Sequence, residues 1–482
     1  MQLVRPMDAV YLWGETRRSP AHVVALQIFR PPADAGPELL DGLYQAMTDP
    51  AAVKPAFRRR PYRSPATAGQ YAWATDESLD LRQHVRRVAL PRSGRTAELM
   101  EHVADFHATA LDPDRPLWQA HLVEGLAGGR FALCTKLHHS LFDGVNMGRH
   151  VLGGLSPDPA ARGGTAPWIE RSTPRRVPTA RAASNGTASG GTASGGAAPA
   201  GGAASGGIPG AGVLGGVSRL GRTVRVLAGG GVAAVRERQP AVPFSAPRTI
   251  FNGRVGSARR FAGESWPVDR LREIARWAGT SVNDVALALC GGALRSYLAE
   301  RDQLPADPLV AMVPVALGST DPAGEARDGN NWAAVLCNLA TDTPDGLDRL
   351  RRVHASMRRS KQLMSELDPV TAAALSAGVL GGALLSLLPG PPPPRPAFNL
   401  VISNVPAARR TLYLDGCELT DNYPVSVVAD GQALNITVIS YVDRIAFGVS
   451  GCRRSVPELD RIPVHLDAAL RELELGKTAD SG

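Results

Sequence analysis

Apolar and polar positions alternate along Phe131-Ala132-Leu133-Cys134-Thr135-Lys136-Leu137, and the run stops at a pair of histidines. The pattern reads as a buried strand ending in chemistry. Further along, Leu271, Ile274 and Ala278 share one helical face, and Gly279 ends the run, predicting a helix over 268–278. Thr280 or Ser281 then caps an apolar helix from about 282 to 300. Short runs rich in Val, Ile, Leu and aromatics, each bounded by turn residues, predict strands at 308–316, 332–340, 397–403, 433–442 and 445–451. Leu466, Leu470 and Leu473 mark a final amphipathic helix.

The alternation of strands and helices is broken once. From 156 to 216 the chain turns to Gly, Ala, Ser, Thr and Pro, a composition that cannot bury a core and reads as a flexible linker. It divides the chain into an N-terminal lobe over 1–155, which carries the histidines, and a C-terminal lobe over 217–482. A length of 482 residues exceeds one ordinary core and agrees with two lobes. A second unusual segment, 369–388, holds no charged residue and matches a membrane span in length. Its Ala, Gly and Ser content and the proline run that follows favour a buried or interfacial helix.

Composition narrows the setting. Five scattered cysteines, with no CxxC and no zinc spacing, point to a reduced cytoplasmic compartment. The first residues, Met1-Gln2-Leu3-Val4-Arg5, lack the apolar core of a signal peptide. Net charge is +8, but the arginines are spread without a basic-and-aromatic RNA-binding pattern, so nucleic acid is not expected as a partner. An anionic membrane or a phosphorylated substrate suits the charge. The cluster Arg58-Arg59-Arg60 with Arg63 reads either as a solvated face or as a surface that meets lipid headgroups or phosphates.

The chemistry is concentrated in His138-His139-Ser140-Leu141-Phe142-Asp143-Gly144. Adjacent residues on a strand point to opposite faces, so at most one of the two imidazoles reaches a given cavity. As a general base, His139 takes a proton from a hydroxyl or thiol and later returns it. His138 then packs on the other face. Asp143 either orients the imidazole or pairs with an arginine to lock the loop, and Gly144 permits a backbone conformation that a side chain hinders. A structural histidine pair is the plainer alternative. A metal site lacks a third ligand, since His150 is the only other histidine nearby.

With these motifs the chain resembles the bacterial wax ester synthase/diacylglycerol acyltransferase family. The resemblance rests on HHxxxDG at 138–144, Met7-Asp8-Ala9, Pro20-Ala21-His22, Pro116-Leu117-Trp118, Ser281-Val282-Asn283-Asp284-Val285, Gly292-Ala293-Leu294-Arg295, Met312-Val313-Pro314-Val315 and Ser403-Asn404-Val405-Pro406. It covers most of the chain outside the low-complexity middle and the tail. It implies an α/β, two-lobed, CoA-dependent acyltransferase (chloramphenicol-acetyltransferase-like) fold with a tunnel between the lobes. It further implies Asn283 or Asp284 on the tunnel wall opposite His139, although capping of the 282–300 helix explains both residues too. Gly144 and Asn283 are candidate oxyanion donors. The implied substrates are long-chain acyl-CoA, a substrate and not a cofactor, and diacylglycerol or a fatty alcohol. The implied setting is peripheral, on the inner face of the plasma membrane or on lipid droplets, with the 369–388 helix near the tunnel mouth.

Overall fold

The structure, a computed structural model, describes residues 2–50, 53–91, 94–142, 144–162, 166–170, 241–316, 332–384, 394–406 and 408–480. The run Phe131–His138 is a strand in the middle of a six-stranded sheet, and every one of its residues is buried. The sheet runs Tyr413–Leu414, Cys417–Val425, His22–Arg30, Phe131–His138, Trp118–Glu124, Val85–Ala89. A second six-stranded sheet runs Trp332–Asn338, Val310–Ala316, Leu400–Pro406, Leu434–Tyr441, Arg444–Cys452, Arg259–Pro267. A small third sheet, Gln2–Leu3, Ala72–Thr75, Arg59–Tyr62, sits beside the first.

All five strands expected in the second half are present with shifted ends. The strand expected at 397 starts at Leu400, because at Asn399 the side chain takes the place of the backbone carbonyl as acceptor, although Asn399 N still donates to Val310 O at 2.7 Å. Asn399 Oδ1 accepts from Val310 N at 2.8 Å, and its Nδ2 donates to Asn252 Oδ1 at 2.9 Å. The helices Val268–Trp277, Val282–Ala299 and Arg461–Asp480 match their expected positions.

Two segments differ from the sequence reading. The stretch read as linker begins later than 156, since Trp168 is fully buried, stacks on Trp118 with centroids 4.8 Å apart, and donates Nε1–H to Met47 O at 2.9 Å. Residues 171–216 of that stretch lie outside the described residues. The uncharged segment forms the helix Pro369–Leu384, with 385–388 outside the described residues. Its Ala372, Leu375 and Val379 are buried, and Ser376 Oγ accepts from Ala334 N at 3.1 Å. Ser356 Oγ, on the preceding helix Gly346–Glu366, likewise accepts from Asn338 N at 2.9 Å. These helices satisfy amides of Trp332–Asn338, the last strand of its sheet, which would otherwise be an open edge. Among the described residues no helix is long and apolar enough to cross a membrane.

The two large sheets are stitched together by one excursion of the chain. After Pro406 it leaves the second sheet, adds Tyr413–Leu414 and Cys417–Val425 to the first, and returns as Leu434–Tyr441. Tyr423 and Val425 of that excursion pack with Val24, Leu26 and Cys134 from the first sheet and Phe261, Ile439 and Ala446 from the second. The crossing strand lies against a flat spot made by Gly263 and Gly448, which face each other across neighbouring strands. A Cβ at Gly448 would fall 2.0 Å from Pro424 O, and one at Gly263 would fall 2.8 Å from the Tyr423 ring. Backbone yields less readily than a ring. Gly448→Ala is therefore expected to lower stability by about 2–3 kcal/mol, and Gly263→Ala by less. Urea midpoints of the two variants check this order, and a Gly448→Ala protein as stable as wild type refutes the close-approach account.

Candidate active site

The strand Phe131–His138 delivers its two histidines by extending its ladder past its own end. His138 N donates to Leu117 O at 3.0 Å, and His139 N donates to Ala21 O at 2.8 Å. The acceptors belong to Pro116-Leu117-Trp118 and Pro20-Ala21-His22, so those two motifs supply the carbonyls that hold the histidine backbone. Trp118 fixes its own segment by donating Nε1–H to Phe57 O at 2.8 Å. Beyond the strand the chain turns, with Leu141 N donating to His138 O at 3.0 Å. Phe142 is buried, its ring 4.1 Å from His150 and 5.4 Å from Phe57. The helix Gly144–Leu152 follows.

The two imidazoles have opposite environments. His138 is fully buried. The Ser140 amide donates to its Nδ1 at 3.1 Å, and the Ser140 hydroxyl lies 2.7 Å from the same nitrogen. An Nδ1 that accepts from an amide is unprotonated, so the ring proton sits on Nε2, which lies 3.3 Å from Glu15 Oε2. Glu15 Oε1 in turn accepts from Ala21 N at 3.1 Å. His138 thus braces the loop through Nδ1, while Glu15 lies beside Nε2 without a hydrogen bond to it. His139 is half-buried, and its ring stacks on Tyr11 with centroids 4.2 Å apart and planes 13° from parallel. Tyr11 comes from the helix Pro6–Gly14, which starts with proline at its first position and an Arg5–Asp8 pair at 2.8 Å.

Of the other expected site residues, Asn283 accepts from Asn404 Nδ2 at 3.2 Å. This joins the Asn-Asp motif to the Ser-Asn-Val-Pro motif. The strand that carries Asn404 also touches the helix Gly144–Leu152, where a side chain at Gly148 would meet Val405 Cγ1. The structure therefore brings Asn283 and Asn404 together beside the element that follows the histidines. Asp284 serves otherwise. Its Oδ2 accepts from Ser281 N at 3.0 Å and Ser281 Oγ at 2.8 Å, and lies 2.8 Å from His354 Nδ1. That is a capping box with a histidine attached, the alternative that the start of the 282–300 helix also allowed. Asp143 lies outside the described residues, and Gly144 opens the helix.

Sequence reasoning missed Tyr11, Glu15 and Ser140. Ser140 is inside the motif, and a short side chain two residues past a buried histidine was a usable signal. Tyr11 and Glu15 fall between two recognised markers, but nothing local in the sequence says that they fold onto the strand end. The face that His138 shares is also unusually basic. His22 stands opposite His138 in the ladder, and Lys136 is on the same face. His22 Nε2 is 2.7 Å from His107 O, and Lys136 Nζ donates to Phe106 O at 2.9 Å and Thr109 O at 2.8 Å. Burial pulls the Lys136 ammonium down to about 7. Burial, then Arg259, lowers His107 to about 3, and His22 also lies well below its usual value, through burial and then His107. A groove of about 920 Å³ lies elsewhere, between the helix Thr96–Ala108, the strand Arg259–Pro267 and the helix Arg461–Asp480, and no motif residue lines it.

Comparison with known proteins agrees with this layout. The model of the wax ester synthase/diacylglycerol acyltransferase catalytic domain matches residues 4–286, and that of the family's C-terminal domain matches 328–474. A putative diacylglycerol O-acyltransferase of Mycobacterium tuberculosis is 44% identical over 473 residues, covering 97% of this chain and 98% of that protein. A probable diacylglycerol O-acyltransferase of the same species is 40% identical over 479 residues, 98% and 99% of the two chains. The wax ester synthase/diacylglycerol acyltransferase from Marinobacter aquaeolei VT8 superposes with a TM-score of 0.76 at 34% identity, covering 99% of this chain and 100% of that one. The first condensation domain of the calcium-dependent antibiotic synthetase shares the fold, with a TM-score of 0.55 at 16% identity over 98% and 95%. The chain belongs to the wax ester synthase/diacylglycerol acyltransferase family and is an acyltransferase with the two-lobed fold that its motifs imply.

The buried histidines make the fold acid-sensitive in a defined way. His107 binds its proton at about 3 in the folded chain and near 6.5 when unfolded. Above pH 6.5 neither state is protonated there and the site is neutral to stability. As pH falls below 6.5 the unfolded state gains a proton that the folded state refuses, so stability drops until about pH 3. Between pH 7 and pH 5 this amounts to about 2 kcal/mol from His107. In His107→Leu the loss of stability over that interval, read from urea midpoints, is expected to shrink by that amount. An unchanged pH slope shows that His107 is not held neutral.

Proposed function

We propose that this acyltransferase makes triacylglycerol by moving a long-chain acyl group from acyl-CoA to the free hydroxyl of diacylglycerol, with His139 as general base. The observation that carries the assignment is the contrast within the histidine pair. His138 has Ser140 on one ring nitrogen and Glu15 beside the other, whereas His139 is half-buried against Tyr11. The acceptor follows from the curated relatives, which are named diacylglycerol O-acyltransferases and match end to end. A fatty alcohol is the second acceptor, favoured by the likeness to the Marinobacter enzyme, which is named a wax ester synthase as well as a diacylglycerol acyltransferase.

In this reading the His139 imidazole removes the proton from the acceptor hydroxyl as its oxygen attacks the thioester carbonyl. A tetrahedral oxyanion forms; the carbon–sulfur bond breaks; the leaving thiolate takes the proton back from His139 and departs as CoA-SH. No covalent enzyme intermediate is needed. Asn283, with Asn404 on its side-chain oxygen, supplies an amide for the oxyanion or the acceptor. Diacylglycerol does not dissolve in water, so the enzyme works from the cytoplasmic side at a membrane or droplet surface, attached peripherally.

His139→Ala is expected to lower transfer from labelled palmitoyl-CoA to diacylglycerol by about 10²–10⁴-fold with melting unchanged. His138→Ala is expected to lower melting as well as rate, because it removes the brace on Ser140. Activity of His139→Ala within a few-fold of wild type ends the general-base assignment. An acceptor panel with hexadecanol beside diacylglycerol decides between the two products.

A further inference from the structure

Six large apolar side chains are exposed among the described residues: Leu3, Trp13, Phe244, Leu363, Val464 and Leu475. Trp13, at 55% exposure, is the one that meets an aromatic partner, its ring centroid 6.3 Å from that of Tyr71. Val4 N donates to Tyr71 O at 2.9 Å, which ties Tyr71 to the first strand. The guanidinium of Arg63 lies over the Tyr71 ring at 4.9 Å. Arg17 and Arg18 follow Trp13 in the chain and are exposed. Among the described residues no carboxylate pairs with Arg17, Arg18 or Arg63.

The charge of this patch is one-sided. From 58 to 75 the chain has four arginines and no acidic residue. The acids of the adjacent helix and turn are turned inward: Asp8 is buried beside Arg5, and Glu15 faces His138 and Ala21. Trp and Tyr beside unpaired arginines is the side-chain set that settles at the headgroup level of a bilayer, where the apolar parts enter and the cations meet phosphate. An acidic protein surface would match the arginines but gives Trp13 no particular use.

We propose that Trp13 and Tyr71, with Arg63 over the Tyr71 ring and the exposed Arg17 and Arg18 next along the chain, form the surface by which this enzyme docks on an anionic phospholipid bilayer. This rests on the reading that the acceptor is drawn from a lipid phase, and it assigns the contact to a different place from the 369–384 helix, which is packed on the second sheet. It also ties docking to chemistry. Trp13 and Tyr11 are two residues apart on one helix, about 200° around its axis. Tyr11 stacks on His139 while Trp13 faces out. The docking surface and the base therefore share a single nine-residue helix.

The test uses the full chain and co-sedimentation with vesicles of phosphatidylcholine alone or with about 30% phosphatidylglycerol, in low and high salt. Wild type is expected to bind the anionic vesicles and to release in high salt. The variant R17Q/R18Q/R63Q is expected to bind about a hundredfold more weakly, at about fivefold per cation removed. W13S is expected to lose about tenfold and to keep its salt dependence. R351Q/R358Q/K361Q, which removes the same charge from the exposed face of the Gly346–Glu366 helix, is expected to bind like wild type. All three are expected to melt with wild type and to keep full transfer to diacylglycerol presented in detergent micelles. Equal binding by the patch variants and wild type overturns the proposal, as does equal weakening by the control, which reduces the effect to net charge. Binding of wild type to poly-glutamate but not to anionic vesicles overturns it in favour of a protein partner. Absence of transfer in micelles by wild type instead refutes the functional reading and leaves the vesicle result to stand alone.

Discussion

Everything at the site depends on two amide hydrogen bonds made at the end of one buried strand. Leu117 O and Ala21 O, each just before a neighbouring strand, accept the N–H groups of His138 and His139. His138 is the last residue of its strand and His139 opens the turn that follows, so the two rings leave in different directions. His138 sinks against Ser140 and Glu15, and His139 meets Tyr11. Two identical side chains are thereby given different work by where the strand stops.

Holding that ladder in register takes more than one sheet. The strand is buried on both faces, so it needs cover from both lobes, and the excursion through Tyr413–Val425 provides it from the second half of the chain. The cover is close because Gly263 and Gly448 remove the side chains that would hold the crossing strand away. It is also electrostatically costly. Lys136, His22 and His107 are enclosed with it, and burial drives all three toward the neutral form. Arg259 crosses the same boundary and donates to Val428 O and Arg18 O, turning a buried charge into a fastening between elements. A network of this sort favours one arrangement of the lobes, since any other leaves several donors without acceptors.

Local pattern was enough to read most elements of the second half. Its helices repeat apolar residues at helical spacing, and its strands are short apolar runs between turns, so both were legible with ends off by a few residues. What pattern could not show was partnership. Cys417–Val425 looks like any half-buried strand, and only the fold reveals that it joins the sheet of the first lobe. The site divides the same way. His138, His139 and Asn283 announce themselves by residue type and motif. Tyr11, Glu15 and Ser140 act through contacts that exist only once the Pro6–Gly14 helix lies across the strand end. Asp284 shows the converse: a residue inside a recognisable motif whose carboxylate is taken up in starting a helix. The compositional reading of a linker failed at Trp168 because one large aromatic can anchor a segment whose average composition is loop-like.

An enzyme whose substrate lies in a lipid phase has to solve a problem of approach as well as of chemistry. A water-exposed site gains nothing from a base that the acceptor never reaches. Placing the stacking partner of the base and an exposed indole on one short helix couples the two requirements mechanically. Any force that orients Trp13 at an interface is transmitted through about half a helical turn to the ring that lies on His139. The helix is well suited to this. Proline opens it, Arg5 and Asp8 pair across its first turn, and Glu15 just past its end is fixed to Ala21 and lies beside His138. It is therefore held at both ends, and at its far end by the same residue whose carbonyl positions the His139 backbone. Surface and base are thus connected through Ala21, whose N–H is held by Glu15 and whose carbonyl holds His139.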